Sequence, residues 1–261
     1  MEHDHDNDIF NRGLEFDLAT LLQRRRVLGL IAGVGAGVAG LATLGESPAA
    51  AQAAACRTIP TETAGPFPGD GSNGPNVLTQ SGIVRSDLRT SFGTGSATAG
   101  GVNLTLNLTV LSAGTCTPYS GAAVYLWACD REGRYSMYSP GVTQENYCRG
   151  VQAANSSGQL TFTTIFPGCY TGRWPHCHFE VYPSIARATS ASGKLKTSQL
   201  AFPEDVCRRV YATAGYQASV NNLARVSLST DGVFRDGYSQ QMVTISGSPS
   251  AGYIANLTVT V

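Results

Sequence analysis

Charge is scarce in this chain. Only 14% of its 261 residues are Asp, Glu, Lys or Arg, and 18 basic residues balance 18 acidic ones. A dedicated nucleic-acid binder needs a surplus of cations to neutralise phosphates, and this chain has none. Low charge, 30 glycines and abundant Thr, Ser and Val also exclude a coiled coil or helical bundle. No long segment beyond residue 55 repeats with the 3.6-residue helical period, and no internal repeat is visible. Histidine is rare, with four in all, and no Cys-x-x-Cys pair occurs among the seven cysteines. What the chain does have is a 42% hydrophobic fraction, enough for a real core.

Residues 1–55 read as a targeting segment. A polar start containing His3 and His5 leads to Arg24-Arg25-Arg26. A mild apolar stretch diluted by Gly and Ala runs from Val27 to Leu44, and Ala51-Gln52-Ala53 supplies an A-x-A cleavage pattern. Paired arginines before such a core resemble a bacterial twin-arginine signal. The expectation is export by the twin-arginine machinery to the cell envelope or beyond, with no membrane attachment after cleavage. A single transmembrane anchor is the alternative. The expected folded domain, residues 56–261, then keeps only two histidines, His176 and His178, and all seven cysteines. In an oxidising compartment the cysteines predict up to three disulfides and one leftover thiol, with Cys56 the candidate leftover and a possible lipid-attachment site.

Strand patterns dominate the rest. Val102 to Val110 alternates apolar and polar residues at period two, the mark of a half-buried strand. Further strands are predicted at Ala122 to Cys129, Gln159 to Ile165, His176 to Tyr182, Leu223 to Leu228, Gln241 to Ile245 and Tyr253 to Val261. Asn-x-Ser/Thr sequons at Asn103, Asn107, Asn155 and Asn256 read as polar strand faces. Gly, Ser, Pro and Asn clusters separate the strands, which predicts an all-β sandwich. Residues 56–100 are predicted to be irregular, with the loop from Gly65 to Gly71 packed on the sandwich.

His176 and His178 stand two apart in a strand, so both imidazoles face one way and Cys177 the other. Two nitrogen donors then reach one metal ion. No carboxylate lies beside them except Glu180, on the same strand face. The nearby oxygen donors are Tyr135, after Gly133-Arg134, and Tyr170, after Pro167-Gly168. A tyrosine ligates as a phenolate, a hard anion suited to a trivalent ion. Two phenolates and two neutral imidazoles leave one positive charge on Fe(III).

Gly121 to Asp130, Arg131 to Ser136, Glu145 to Gln152 and Thr164 to His178 together resemble the intradiol ring-cleavage dioxygenases. The best match is to their exported single-domain branch, related to protocatechuate 3,4-dioxygenase and catechol 1,2-dioxygenase. It runs in order from Thr63-Ala-Gly-Pro-Phe67 through Val84-Arg-Ser-Asp87 to Thr197-Ser-Gln-Leu200. The resemblance implies a transthyretin-like (prealbumin-like) β-sandwich with long loops and a non-haem Fe(III) held by Tyr135, Tyr170, His176 and His178. It implies that Tyr170 and His176 are axial, that Arg173 faces the substrate ring, and that Gln199 supports the site. Substrates would be a catechol and O2: the catechol displaces Tyr170, which takes up a proton, and the ring opens between its hydroxyl-bearing carbons to a muconate-type diacid. Trp127 and Asp130 match positions of core packing and turn chemistry. Ala128, Cys169 and Cys177 depart from the family's usual His, Trp and Ile or Val. The alternative function is a non-catalytic exported sandwich that binds a metal or a catechol; a structural cell-surface sandwich would need no ligand set at all.

Overall fold

Alternation along the strands decides which faces meet, and the computed structural model, which describes residues 56–261, shows two four-stranded sheets facing each other. The expected export segment, residues 1–55, lies outside the described residues. Among those that are described, no helix is long and apolar enough to cross a membrane. The strands are β1 (Asn103–Leu111), β2 (Ala123–Trp127), β3 (Arg149–Ala153), β4 (Gln159–Ile165), β5 (His176–Tyr182), β6 (Lys196–Ala201), β7 (Thr244–Ser248) and β8 (Gly252–Thr260). Helices α1 (Glu204–Tyr211) and α2 (Gln217–Leu223) lie between β6 and β7.

The first sheet runs β4-β1-β8-β7, with β1 and β8 parallel and the other pairs antiparallel. On β1, Leu104, Leu106, Leu108 and Val110 enter the core, while Asn and Thr face outward. Two of the sequon asparagines meet on that outer face, Asn107 Nδ2 donating to Asn256 Oδ1 at 3.0 Å. The second sheet runs β3-β2-β5-β6 and is antiparallel throughout. Every residue of β2 and β5 is buried. Val124, Leu126, Cys177, Phe179 and Val181 point into the inter-sheet core. Tyr125, Trp127 and Tyr182 point the other way, into a second cluster with Val77, Leu78 and Ile83 of the irregular N-terminal segment. That segment therefore acts as a cover: it makes isolated bridges but no named strand, as its sequence predicts.

Several expectations are corrected. Leu223 to Leu228 is not a strand; Leu223 closes α2 and turns follow. The strand expected from Gln241 starts only at Thr244. Strands β3 and β6 and both helices were not anticipated. At eight residues, α1 is too short to display a period, yet Glu204–Arg208 and Asp205–Arg209 ion pairs line its outer face and Val206, Cys207, Val210 and Tyr211 its inner one. The expectation of a single leftover thiol fails too. Among the described residues one disulfide forms, Cys56–Cys116, and Cys129, Cys148, Cys169, Cys177 and Cys207 are buried free thiols. Cys56 is thus not the leftover thiol. Its bond fastens the start of the domain to the β1–β2 connection across 60 residues, a closure worth about 4 kcal/mol on loop entropy.

Two loops that matter below are pressed together at Gly168. Its amide donates to the Asp130 carbonyl at 3.0 Å. A Cβ there would sit 2.7 Å from the Arg131 carbonyl oxygen and 2.9 Å from that of Asp130, both backbone atoms. Gly168→Ala should therefore cost about 1–3 kcal/mol and lower the melting temperature by roughly 2–10 °C. Calorimetry checks this; an unchanged melting temperature would show that the two loops separate freely.

Candidate metal centre

Register places the site. His178 lies opposite Trp127 on β2 and Gln199 on β6, all on the covered face of the second sheet. His176 and His178 share that face, as their spacing predicts, and each is 2% exposed. Trp127 stacks on the His178 ring with centroids 4.9 Å apart and planes 7° from parallel. The sequence suggested only packing for Trp127; its contact with a candidate ligand is an additional role.

Tyr135 and Tyr170 arrive from loops. The Asp130 carboxylate holds the first loop, accepting from the Glu132 and Arg134 amides, the Arg134 guanidinium and the Tyr147 hydroxyl at 2.8–3.0 Å. This is the turn chemistry expected of Asp130. Arg149 on β3, fully buried, donates to Ser136 and to the Phe67 and Pro68 carbonyls, tying the residue after Tyr135 to the cover loop. The second loop is gripped by α2: Ser219 Oγ accepts from the Cys169 amide at 2.9 Å, and Asn222 Nδ2 donates to its carbonyl at 2.8 Å. Gly133, at φ +84°, lets the first loop pass within 3.2 Å of the Tyr170 Cβ measured from a hypothetical Cβ of its own.

The four side chains converge on one point. Tyr135 Oη lies 3.4 Å from Tyr170 Oη, 3.4 Å from His176 Nε2 and 3.2 Å from His178 Nε2. Tyr170 Oη is 3.2 Å from His176 Nε2, and the two Nε2 atoms are 3.1 Å apart. Metal bonds of about 2.0–2.1 Å put tetrahedrally arranged donors about 3.3–3.4 Å apart, so these spacings fit one ion. His176 Nδ1 donates to the Trp174 carbonyl, which fixes the tautomer with its Nε2 lone pair facing the cluster. Glu180 shares the strand face but is engaged elsewhere, by Lys194 and Tyr182 at 2.6 Å and Thr197 at 3.2 Å. Among the described residues no group of three or more His, Cys, Asp or Glu forms a metal site, so the tyrosines are essential to this one.

Burial sets the protonation of His176, His178 and Tyr135. Burial lowers the pKa of His176 to about 3, with Arg173 adding to the effect. Burial, then His176 and Arg173, depress His178 likewise. Both imidazoles are therefore neutral donors. Burial, with Tyr170 alongside, raises the Tyr135 phenol well above its usual value, so a phenolate there requires a bound positive charge. Arg173, 1% exposed, sits on the same side of the sheet, with its Nη2 donating to Gln199 Oε1 at 2.6 Å. Gln199 in turn donates to the Thr63 carbonyl at 3.0 Å. All six residues singled out from the sequence are thus brought together. Asp231, which accepts from Arg173 Nε at 3.0 Å, was not; in Thr230-Asp231-Gly232 its only sequence signal is that of a turn. Phe67 and Phe234 flank the centre, 5.0 Å from Tyr135 and 6.5 Å from His176 between ring centroids.

Comparison with known proteins shows the family of the chain. The family model described as Dioxygenase matches residues 73–208, just over half of the chain. The chain is similar to a solved intradiol ring-cleavage dioxygenase from Tetranychus urticae: 26% identity, 69% of this chain and 87% of that one covered, TM-score 0.56. It also resembles in fold the dioxygenase domain of a dioxygenase carbohydrate-binding protein fusion from Streptomyces sp. SirexAA-E, at 22% identity, 78% and 98% coverage and TM-score 0.50. None of the curated proteins matches the chain in sequence. The chain belongs to the intradiol ring-cleavage dioxygenase family, oxidoreductases that act on catechol-type rings.

Because the histidines are more acidic folded than unfolded, an unfolded chain takes up protons first as pH falls below about 6.5. The metal-free protein should lose stability from there downward, by up to about 1.4 kcal/mol per pH unit for each histidine. Denaturant titrations at several pH values check this. His176→Gln/His178→Gln should flatten the dependence; equal slopes would mean that the imidazoles charge as easily in the folded protein.

Proposed function

We propose that this protein is a non-haem Fe(III) intradiol dioxygenase that uses O2 to cleave a catechol-type ring between its two hydroxyl-bearing carbons, giving a muconate-type diacid. The observation that carries the proposal is the convergence of Tyr135, Tyr170, His176 and His178 on a single point. Those four residues would hold the ion, and their two phenolates would favour its ferric form. When bound, the ferric ion would act as a Lewis acid on a chelated catechol and draw electron density from the ring.

The chain's own groups have distinct tasks. Tyr135 is 1% exposed and Tyr170 is only half-buried, so Tyr170 Oη is the phenol that an incoming catechol hydroxyl reaches. Tyr170 Oη takes the proton the substrate gives up. Arg173 presents a buried positive charge where negative charge develops on the ring, and Gln199 Oε1 orients it. Phe67 and Phe234 bound the site with apolar surface and exclude water. The proposal includes export of residues 56–261 through the twin-arginine machinery, which carries folded proteins and so delivers the domain with its metal loaded.

Purified protein should contain about one iron per chain and be coloured by phenolate-to-iron charge transfer, and adding catechols should consume O2. Colourless protein that stays inert after reconstitution with iron would sink the proposal. Coloured protein without O2 uptake would point to a binding module instead. Arg173→Ala should keep its iron and lose turnover by roughly two orders of magnitude. Unchanged turnover in steady-state assays would remove Arg173 from the chemistry.

A further inference from the structure

Among the described residues, three stretches of chain meet at the Arg173 guanidinium, and one of them lies beyond the part that the family model matches. Arg173 comes from the loop before β5 and Gln199 from β6, both within residues 73–208. Asp231 follows α2, after residue 208. Its carboxylate is 0% exposed and accepts four hydrogen bonds. Oδ2 takes Arg173 Nε at 3.0 Å and the Trp174 amide at 2.7 Å; Oδ1 takes the Val233 and Phe234 amides at 2.8 and 3.0 Å. Burial alone would raise its pKa, but Arg173 and these amides outweigh burial and keep the acid ionised.

Two consequences follow from that geometry. The first is orientation. The same carboxylate oxygen holds the Arg173 side chain and the Trp174 amide, and the Trp174 carbonyl in turn accepts from His176 Nδ1. One group thus sets both the guanidinium and the residue that aims a ligand imidazole. The second is charge. A buried guanidinium beside a cation site repels the cation, as it already disfavours protonated His176 and His178. A carboxylate 3.0 Å from Arg173 Nε offsets that repulsion.

We propose that Asp231 is a positioning residue for this centre, contributed by the C-terminal part of the chain. It neutralises Arg173 next to the metal and fixes Arg173 and His176 in their working orientations. Asp231 acts through its neighbours and touches neither ion nor substrate. The inference rests on the metal-centre reading above.

The test uses metal-free full-length domain titrated with Co(II), followed by visible absorption, in four proteins: wild type, Asp231→Asn, Arg173→Met and the double variant. Asp231→Asn should weaken Co(II) binding by about tenfold or more, because it removes the carboxylate that lies against the guanidinium. The double variant should bind within about twofold of Arg173→Met, because without its cation the buried Asp231 takes up a proton and is then, like Asn, a neutral group that still accepts from the Trp174 amide. Turnover on catechol after iron loading should follow the same pattern, with Asp231→Asn lowering kcat in the wild-type background and not in Arg173→Met. Equal weakening in both backgrounds, or none in either, would overturn the proposal. If Asp231→Asn alone fails to fold, Arg173→Met and the double variant decide: equal affinity supports it, and a tenfold loss overturns it. A wild type that binds neither Co(II) nor iron would instead refute the metal centre itself, a result read before any variant is compared.

Discussion

The second sheet is buried on both faces, and nearly everything else about the site depends on that. One face can be satisfied by hydrophobic packing against the first sheet, and Val124, Leu126, Phe179 and Val181 do so. The other lies beneath the irregular segment 56–100, and β5 places His176, His178 and Glu180 there. A polar group removed from water must find a partner or lose roughly 1–3 kcal/mol. Arg149 finds donors' partners for all three of its nitrogens, and Glu180 finds Lys194, Tyr182 and Thr197. The four converging donors are different in kind. Two phenol oxygens and two imidazole nitrogens crowd one point with lone pairs, and contacts of 3.1–3.4 Å between them are long for O–H···N hydrogen bonds. A bound cation would satisfy all of them at once.

The same dryness explains the cysteines. Burial raises the pKa of all five free thiols, to about 12 for Cys148 and Cys169. A thiol held neutral is a poor nucleophile and a poor metal ligand. Cys169 and Cys177 occupy core positions and pack there as small apolar groups. Counting cysteines on the expectation of export allowed up to three disulfides, because composition carries no information on burial. The one bond that forms joins Cys56, outside the sandwich strands, to Cys116 in the β1–β2 connection.

Elements with a period of two were legible in the sequence. β1, β4, β5 and β8 each show it over seven to nine residues, and each appears within a residue or so of its expected bounds. β3 was hidden because Arg149-Gly-Val-Gln-Ala has a charged residue and a glycine at buried positions. The arginine is buried because the Phe67 and Pro68 carbonyls come to meet it, which no local window reveals. The converging cluster was legible because its signals are local: His-x-His on a strand, and tyrosines beside glycine turns. Gln199 and Arg173 were available only through family resemblance. Asp231 was invisible, since a buried Asp and a turn Asp look the same in a sequence.

Burial also separates two tyrosines that look alike in sequence. Tyr135 is 1% exposed, its amide is fixed by Ser139 Oγ at 2.9 Å, and Arg149 anchors the next residue along. To leave the cluster it would have to break a buried network. Tyr170 is half-buried, and α2 grips its loop through the Cys169 peptide. In the proposed reaction one phenolate must stay to balance charge while the other yields its place and accepts a proton. The asymmetric supports match that division of labour: Tyr135 rests on the sheet through Arg149, whereas Tyr170 hangs from a peptide clamped by a short helix. The part of the chain beyond the family match thus bears on the centre from two sides, through α2 at Tyr170 and through Asp231 at Arg173.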